Sequence, residues 1–562
     1  MSVKKAIKYF NDLSFTENKN THDDEPNNLK EKVKLEFSIQ NSSKGFYSIN
    51  AKLNDEQNID FCSEIKESFH NPTLKFDKFF VCDYYFEKPQ NLQIIINIDN
   101  NPININTTLG CILGSRNCTN SYKYNENETL IIKGEKMGKN DGYVNIEFFV
   151  KENGNDQSNY FINNKLIYEI TCKNKKLYSS EEINNEGKFA QVQIPFCLLD
   201  PFYTVSLYNS FDQLVGTFNK TIKEINPSQD NIELKIEIAN NNYLYLYDNS
   251  EIIENFTFLD YINAGVRICL SFGIDFTGSN GHPLDEGTLH SLKGNKPNDY
   301  ERAIRYCGDI VAYYDYDQLF PVYGFGAIIN SSNNKEASMC FNLNFLDHPD
   351  ICTIDSVIKY YHECIEKDKL TFAGPTEFTP IIQAVISKIK EDNLHYYILM
   401  ILTDGVIDDL QETIDSLVAA SFAPLSVIIV GIGNADFKKM EILDGDEMPL
   451  ISSTGQKRMR DLVQFVSFNK YENDEKKLCS EVLAEIPRQM VEYYKFKNLS
   501  PTKIKKQLIP SNNNNNNYNP INNNYNDMYN KNEYPSFEEL QKKNDNLLNN
   551  IPESETIIMK KQ

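Results

Sequence analysis

YYILMILTDG, residues 396–405, runs through seven apolar positions and stops at Thr-Asp-Gly. The run shows no polar alternation and is short for a helix, so it reads as a strand covered on both faces, as in a parallel sheet. LSVIIVGIG (425–433) and RICLSFGI (267–274) have the same texture. Amphipathic segments lie between such strands. In FTPIIQAVISKIKED (378–392) Ile381, Ile382, Val385, Ile386 and Ile389 share one helical face, and DLQETIDSLVAAS (409–421) is a second such segment. Buried strands alternating with helices predict a doubly wound, Rossmann-like α/β domain over residues 255–497.

Upstream the texture changes. KVKLEFSI, NLQIIINID, YVNIEFFV, NKLIYEITC, FAQVQIPF and YTVSLYNS are strand-length runs rich in Ile, Val, Phe and Tyr, separated by Asn, Gly and Pro. They predict two all-β sandwiches, over 29–130 and 131–250. Residues 1–28 read as a flexible leader. Residues 498–562, with IPSNNNNNNYNPINNNYNDMYN, read as an Asn-rich disordered tail, because such sequence buries too little apolar surface to offset its ordering entropy. Within it SFEELQKKNDNLL carries a capping-box start at Ser536 and Glu539.

The 562 residues include 57 Lys and Arg against 79 Asp and Glu, a net charge of −22. A chain this acidic lacks the basic surface that neutralises phosphates, which argues against nucleic acid as a partner. An anionic bilayer also repels it on average, so membrane contact requires a local basic patch or bound cations. Its 12 cysteines include no C-x-x-C pair, and neither a signal-peptide core nor an 18-residue apolar span is visible. These features predict a cytoplasmic protein with reduced thiols.

The chemistry gathers at the ends of the buried strands, where ligands collect in doubly wound sheets. IDFTGSNG (274–281) offers Asp275, Thr277 and Ser279, with Gly278 and Gly281 letting the loop turn. FAGPTEFTP (372–380) adds Thr376, LTDG adds Asp404, and Thr403 is placed to support its neighbour. Taken singly, an Asp after a strand is a helix cap, and a Thr or Ser in a turn satisfies backbone donors. Five oxygen-bearing residues on three strand-end loops point instead to a hard divalent cation such as Mg²⁺.

This D-x-T-x-S, loop threonine and T-D-G pattern resembles the metal-ion-dependent adhesion site of von Willebrand factor A domains. The resemblance implies that Asp275, Thr277, Ser279, Thr376 and Asp404 surround Mg²⁺ or Mn²⁺, and that an acidic side chain of a protein partner completes the shell. FLDYINAGVRICLSFGIDFTGSNGHP, NDYERAIRYCGDIVAYYDYDQLFPVYGFGA, GPTEFTPIIQAV and RDLVQFVSF further resemble the A domain of copines. Copines carry two C2 domains ahead of it, matching the two β-rich segments, and the resemblance implies calcium-dependent docking on phospholipid. The mechanism is a charge switch, in which Ca²⁺ neutralises acidic loops and bridges them to an anionic bilayer.

The loops depart from that pattern. The third-loop D-x-D stands as Asn97-Ile98-Asp99 in the first C2-like segment, and in the second Asn209 replaces an Asp with Asp212 nearby. Ca²⁺ binding at these loops is therefore expected to be weak or lost, with Asp99 and Asp212 as ordinary turn residues the competing reading. Lys173, Lys175 and Lys176 offer another route to anionic lipid, with Lys173 and Lys175 expected on one strand face. Gly-x-Gly at Gly324/Gly326 and Gly431/Gly433 lacks the third glycine of a dinucleotide site, no P-loop occurs, and His362 beside Glu363 reads as a surface pair. No general base or nucleophile stands out, so no enzyme is expected. The expectation is an adaptor that associates reversibly with plasma or intracellular membranes. The alternative is a cytosolic interaction scaffold that has lost calcium-dependent lipid binding.

Overall fold

The computed structural model describes residues 30–508, apart from 55–57, 138–141, 154–163, 184–185, 200–201, 226–230, 240–241, 294–295, 316, 333–334, 391 and 446–447. The leader at 1–28, the Asn-rich stretch and SFEELQKKNDNLL lie outside the described residues. The described residues divide into two compact units: those within 138–256 form one, and 30–137 together with 257–508 form the other.

In the larger unit, residues 30–137 are a sandwich of two antiparallel sheets. Glu31–Gln40 pairs with Thr129–Lys136 on one side and with Thr73–Lys75 and Phe80–Tyr84 on the other. In the facing sheet Gly45–Asn54 pairs with Asn91–Ile98, which forms a hairpin with Asn101–Thr108. Alternation accounts for the layers, since Val33, Leu35, Phe37 and Ile39 are buried while the residues between them are not. The expected boundary at 130 falls inside Thr129–Lys136. Leu130, Ile132 and Gly134 all face inward, so the strand pattern runs on to Lys136.

The smaller unit is also a sandwich. One sheet orders Lys175–Ser179, Ile167–Cys172, Tyr203–Tyr208 and Leu214–Lys220. Opposite it, Phe148–Asn153, Asn242–Asp248 and Asn231–Ala239 pair antiparallel, and Tyr143–Ile146 pairs with Val192–Pro195 and Glu251–Ile253. Phe148, Tyr168, Val205, Leu244 and Leu246 lie in its core.

From residue 258 onward the larger unit is α/β. Its main sheet orders Leu319–Phe325, Arg267–Asp275, His395–Thr403, Leu425–Gly431 and Val463–Ser467, all parallel, with short antiparallel partners at Phe341–Asn342 and Asp350–Cys352. Every residue of His395–Thr403 is buried, which is why its sequence shows no alternation. A Cβ on Gly273 would lie 3.1 Å from Ile381 of the Thr379–Ile386 helix. On the other face Phe272 and Ile354 crowd Gly308 of the Asp299–Ala312 helix. The sheet is thus covered on both sides, and its order reverses beside the Asp275 strand. A helix at Pro501–Gln507, capped by Ser500 and burying Ile504, continues the fold past residue 497 into the stretch expected to be tail.

The first sandwich is joined to this α/β region by specific contacts. Glu31 accepts hydrogen bonds from Thr257 Oγ1 at 2.6 Å and Leu259 N–H at 3.2 Å, and Lys136 pairs with Asp260 at 2.9 Å. Tyr84 and Tyr314 share a hydroxyl hydrogen bond, and Phe86 packs on Phe258 and Tyr314 at centroid distances of 4.7 and 5.0 Å. Among the described residues no helix is long and apolar enough to cross a membrane.

Candidate metal centre

Asp275 ends its strand fully buried, and the loop after it folds back on the carboxylate. Thr277 donates to Asp275 Oδ1 twice, from its N–H at 2.8 Å and from its hydroxyl at 2.6 Å. Thr277 Oγ1 lies 3.0 Å from Ser279 Oγ, and Ser279 donates to Asp404 Oδ1 at 2.9 Å. Thr403 donates to Asp275 Oδ2 at 2.5 Å.

The third loop closes beside these two. Thr376 is buried, its N–H donates to Asp408 Oδ2 at 2.9 Å, and the Asp408 N–H returns to the Thr376 carbonyl at 2.8 Å. A Cβ on Gly405 would lie 3.1 Å from Thr376 Oγ1 and 3.8 Å from Asp275 Oδ2. Gly326, at φ +78°, has room for hydrogen only, since a Cβ there would meet Thr277 Cγ2 at 2.2 Å. The five predicted residues therefore occupy one place, and Ser279 is the exposed member.

Residues that the sequence pattern does not single out complete the surroundings. Asn280 donates to Asp404 Oδ1 at 2.9 Å and contacts Asp275 Oδ1 at 3.5 Å, while Tyr300 donates to Asn280 Oδ1 at 2.7 Å. His290 is stacked 4.0 Å from Tyr300 and 5.2 Å from Phe276. Burial holds its pKa down to about 3, so the ring is neutral. Its Nε2–H donates to the Asp275 carbonyl at 2.8 Å, leaving Nδ1 to accept from the Tyr361 hydroxyl at 2.7 Å. That hydroxyl in turn accepts from Asn298 Nδ2 at 3.0 Å.

The electrostatics are those of two like charges in a dry place. Burial raises the Asp275 pKa, against the opposing hydrogen bonds from Thr277 and Thr403. Asp404 is pushed up to about 7, by burial first and by the Asp275 charge second. Neither carboxylate has a Lys or Arg partner among the described residues. Two carboxylates and three hydroxyls form an oxygen-only donor set suited to a hard divalent cation. No group of three or more His, Cys, Asp or Glu placed to hold a metal occurs among the described residues, and this cluster, with two carboxylates, is not of that kind.

The sandwich residues are arranged differently. Asn97 lies within a strand, opposite Ser48, and contacts Ser48 Oγ at 3.5 Å. Asp99 sits in the Ile98–Asn101 turn and accepts the Phe46 N–H at 2.9 Å. Asn209 Oδ1 accepts the N–H groups of Phe211 and Gln213, each at 3.0 Å, and Asp212 takes a left-handed φ of 55° in the same loop. The expected lysine face is not formed. Lys173 occupies the hairpin turn at φ 50°, outside the strand that starts at Lys175, so the alternation between them is broken, and Lys176 pairs with Glu169. His362 meets Glu301 rather than Glu363, which pairs with Lys367 at 3.0 Å.

A family model described as Copine matches residues 288–502. Copine-E of Dictyostelium discoideum is 32% identical over 469 residues, covering 77% of this chain and 79% of the relative. Protein BONZAI 2 of Arabidopsis thaliana is 41% identical over 254 residues, 44% of this chain and 42% of that protein. Among solved structures, the paired C2 domains of Extended-Synaptotagmin 2 align at 11% identity over 43% of this chain and 98% of that chain, with a TM-score of 0.18. Proximal thread matrix protein 1 from the mussel byssus, with a zinc-occupied MIDAS motif, aligns at 16% identity over 38% of this chain and 46% of that chain, with a TM-score of 0.23. Both TM-scores are too low to bear on the fold or the site.

Proposed function

This chain belongs to the copine family, and from that premise we propose that it is a non-enzymatic membrane-binding adaptor whose α/β domain captures partner proteins. Family membership supports membrane binding in general terms. The finer reading is that the α/β region is a von Willebrand factor A domain and the Asp275 cluster its adhesion site. Asp275, Thr277, Ser279, Thr376 and Asp404 would hold Mg²⁺ or Mn²⁺, which when bound offers a coordination position to a partner's carboxylate.

The observation that carries this reading is the convergence of two buried carboxylates without a cationic side chain. Burial and mutual repulsion press Asp404 toward its neutral form, and a bound divalent cation removes that pressure. The rest of the site holds donors in place. Thr277 and Thr403 keep both Asp275 oxygens hydrogen-bonded, and His290 fixes the Asp275 backbone. Exposed Ser279 marks the side from which a partner enters. The protein then works in the cytoplasm and associates peripherally and reversibly with membranes.

Asp275→Ala tests this. Mn²⁺ binding and Mg²⁺-dependent capture of acidic partner peptides should be lost while vesicle binding persists. Retained Mn²⁺ affinity in that variant would sink the adhesion-site reading. A second reading, a scaffold without calcium-driven lipid binding, is favoured by Asp99 and Asn209, whose oxygens accept backbone N–H groups. Vesicle binding that rises steeply with Ca²⁺ would remove that second reading.

A further inference from the structure

Asn101–Thr108 ends one sheet of the first sandwich. It pairs with Asn91–Ile98 on one side, and among the described residues no strand pairs with its other side. The hairpin fixes which backbone groups face that open side. Asp99 and Asn100, at φ 47° and 67°, form the two-residue turn between the strands, both left-handed as in a type I′ turn. Such a turn makes Ile98 and Asn101 a hydrogen-bonded pair. Alternation then directs the ladder bonds of Ile103, Ile105 and Thr107 toward the neighbouring strand. Pro102, which has no N–H to give, falls at a position that needs none. The Leu109 N–H, bonded to the Gln90 carbonyl at 3.0 Å, continues the same alternation. Asn104 and Asn106 are left presenting their backbone N–H and C=O groups outward.

A free edge of this kind is a template for another strand, and proteins blunt such edges with charge, proline or shortness. Other sandwich edges follow that rule. Ile59–Cys62 is 4 residues long and carries Asp60, Lys175–Ser179 carries two lysines, and Asn231–Ala239 carries Glu233, Lys235 and Glu237. Asn101–Thr108 is 8 residues long, and no charged side chain occurs anywhere in 100–115. Pro102 blunts only the end beside the turn. Asn104 and Asn106 stand exposed, and Ile103 and Ile105, on the opposite face of the strand, are only half-buried.

We infer that this edge pairs with the same edge of a second copy of the chain, antiparallel about a two-fold axis through Ile105. The occupant is a second copy for two reasons. The first is self-complementarity. Asn104-Ile105-Asn106 reads the same in both directions, so Asn104 of each chain meets Asn106 of the other and the two exchange N–H and C=O bonds. Ile105 then meets its counterpart and Ile103 meets Thr107, β-branched pairs that suit a pleated surface. An axis through Asn104 would instead set Asn106 opposite Pro102, whose missing N–H leaves a carbonyl unpaired. The second reason is charge. Two chains of net charge −22 repel one another over most of their surfaces, and 100–115 is a stretch where they can touch without opposing carboxylates. A two-fold contact uses the same patch on both chains, so association stops at the dimer.

The interface is small, so the dimer should form in the micromolar range. Sedimentation velocity of the full chain at rising concentration is the test. The expected result is a mass that climbs from one chain to two and no further, with amide exchange at residues 103–107 slowed in the concentrated sample. Asn104→Lys combined with Asn106→Lys should weaken pairing at least about tenfold with unchanged melting, and the corresponding double glutamate chain should do the same. Mixing the lysine and glutamate chains should restore a dimer, because opposite charges then face each other across the axis. A parent that stays monomeric, a mixture that stays monomeric, or growth past two chains overturns the inference. So does a dimer that survives in the lysine chain alone, which would place the contact on another surface. Monomers whose 103–107 amides are protected at every concentration would also overturn it, by showing the edge already covered by another segment of the chain.

Discussion

Asp275 and Asp99 both stand at the end of a strand, beside a glycine-bearing loop, and they meet opposite surroundings. Asp275 is buried with a second carboxylate nearby, and the Thr277 and Thr403 hydroxyls together with the Thr277 N–H supply its hydrogen bonds. Asp99 lies in an exposed turn and accepts a backbone N–H from Phe46, at the start of the neighbouring strand. Residue type and position relative to the strand are therefore insufficient to define a cation site. What separates the two is burial and the second anion: each accepts a backbone N–H, but Asp275 is buried beside Asp404, whereas Asp99 is exposed to water.

The sharpest way to break this contrast is to neutralise each carboxylate without changing its shape. Asp404→Asn should weaken Mn²⁺ binding by at least about a hundredfold, roughly 2.7 kcal/mol. Asp99→Asn should leave the calorimetric titration unchanged. Equal losses in the two variants would mean that the sandwich loops hold cations after all.

Next in size is the support beneath Asp275. Thr403→Val keeps the volume and removes the donor to Oδ2, leaving a buried carboxylate oxygen short of a partner. Such a loss costs about 1–3 kcal/mol, and melting should show it. Added Mg²⁺ should recover part of the loss, and an unchanged melting curve would show that Thr403 gives no support. Asp99→Ala should cost less, about 1 kcal/mol, because its hydrogen bond to Phe46 is solvent-exposed. Its signature is a lower melting temperature with Mn²⁺ binding intact.

The same contrast explains how much of the molecule is legible in its sequence. Continuous apolar runs such as YYILMILTDG announce a doubly covered strand because both of its faces really are buried. Four of the five oxygen donors follow from that, since the strands ending at Asp275 and Thr403 are parallel neighbours whose end loops meet. Thr376 comes from the loop after Leu370–Phe372, which pairs antiparallel with Ala327–Ile329 outside that sheet. Asn280 stands in plain view within IDFTGSNG, but an Asn between Ser and Gly reads as a turn residue until Asp404, 124 positions away, is found beside it. His290 gives no signal, because its partner is a backbone carbonyl and its neighbours come from separate elements. The lysine face fails for a local reason: two left-handed residues, Lys173 and Asn174, turn the chain between the two lysines that strand alternation would put on one face. That the first sandwich joins the α/β region, while the second forms its own unit, depends on contacts such as Glu31 with Thr257 that no pattern in either segment announces.

The smallest effect concerns a carboxylate that does have a cationic partner, and so tests the contrast from the other side. Glu301 and His362 hydrogen-bond between the Asp299–Ala312 and Ile354–Glu366 helices. The Glu301 bond raises the His362 pKa above 6.5. For Glu301, burial pushes upward, but the bonds from His362 and the Asn298 N–H hold it below its usual value of 4.5. With the histidine raised, its contribution is complete below the unfolded value of 6.5 and disappears as pH climbs through the folded value. The pair is partly solvated, so the contribution should be roughly 0.5 kcal/mol. Buried His290 acts in the opposite sense, because its depressed pKa makes folding more favourable as pH rises toward 6.5. The raw pH profile therefore mixes both, and the informative quantity is the difference between the parent and His362→Gln. That difference should be largest at pH 6 and shrink toward pH 8. A constant difference would show that the pair is held by packing rather than charge.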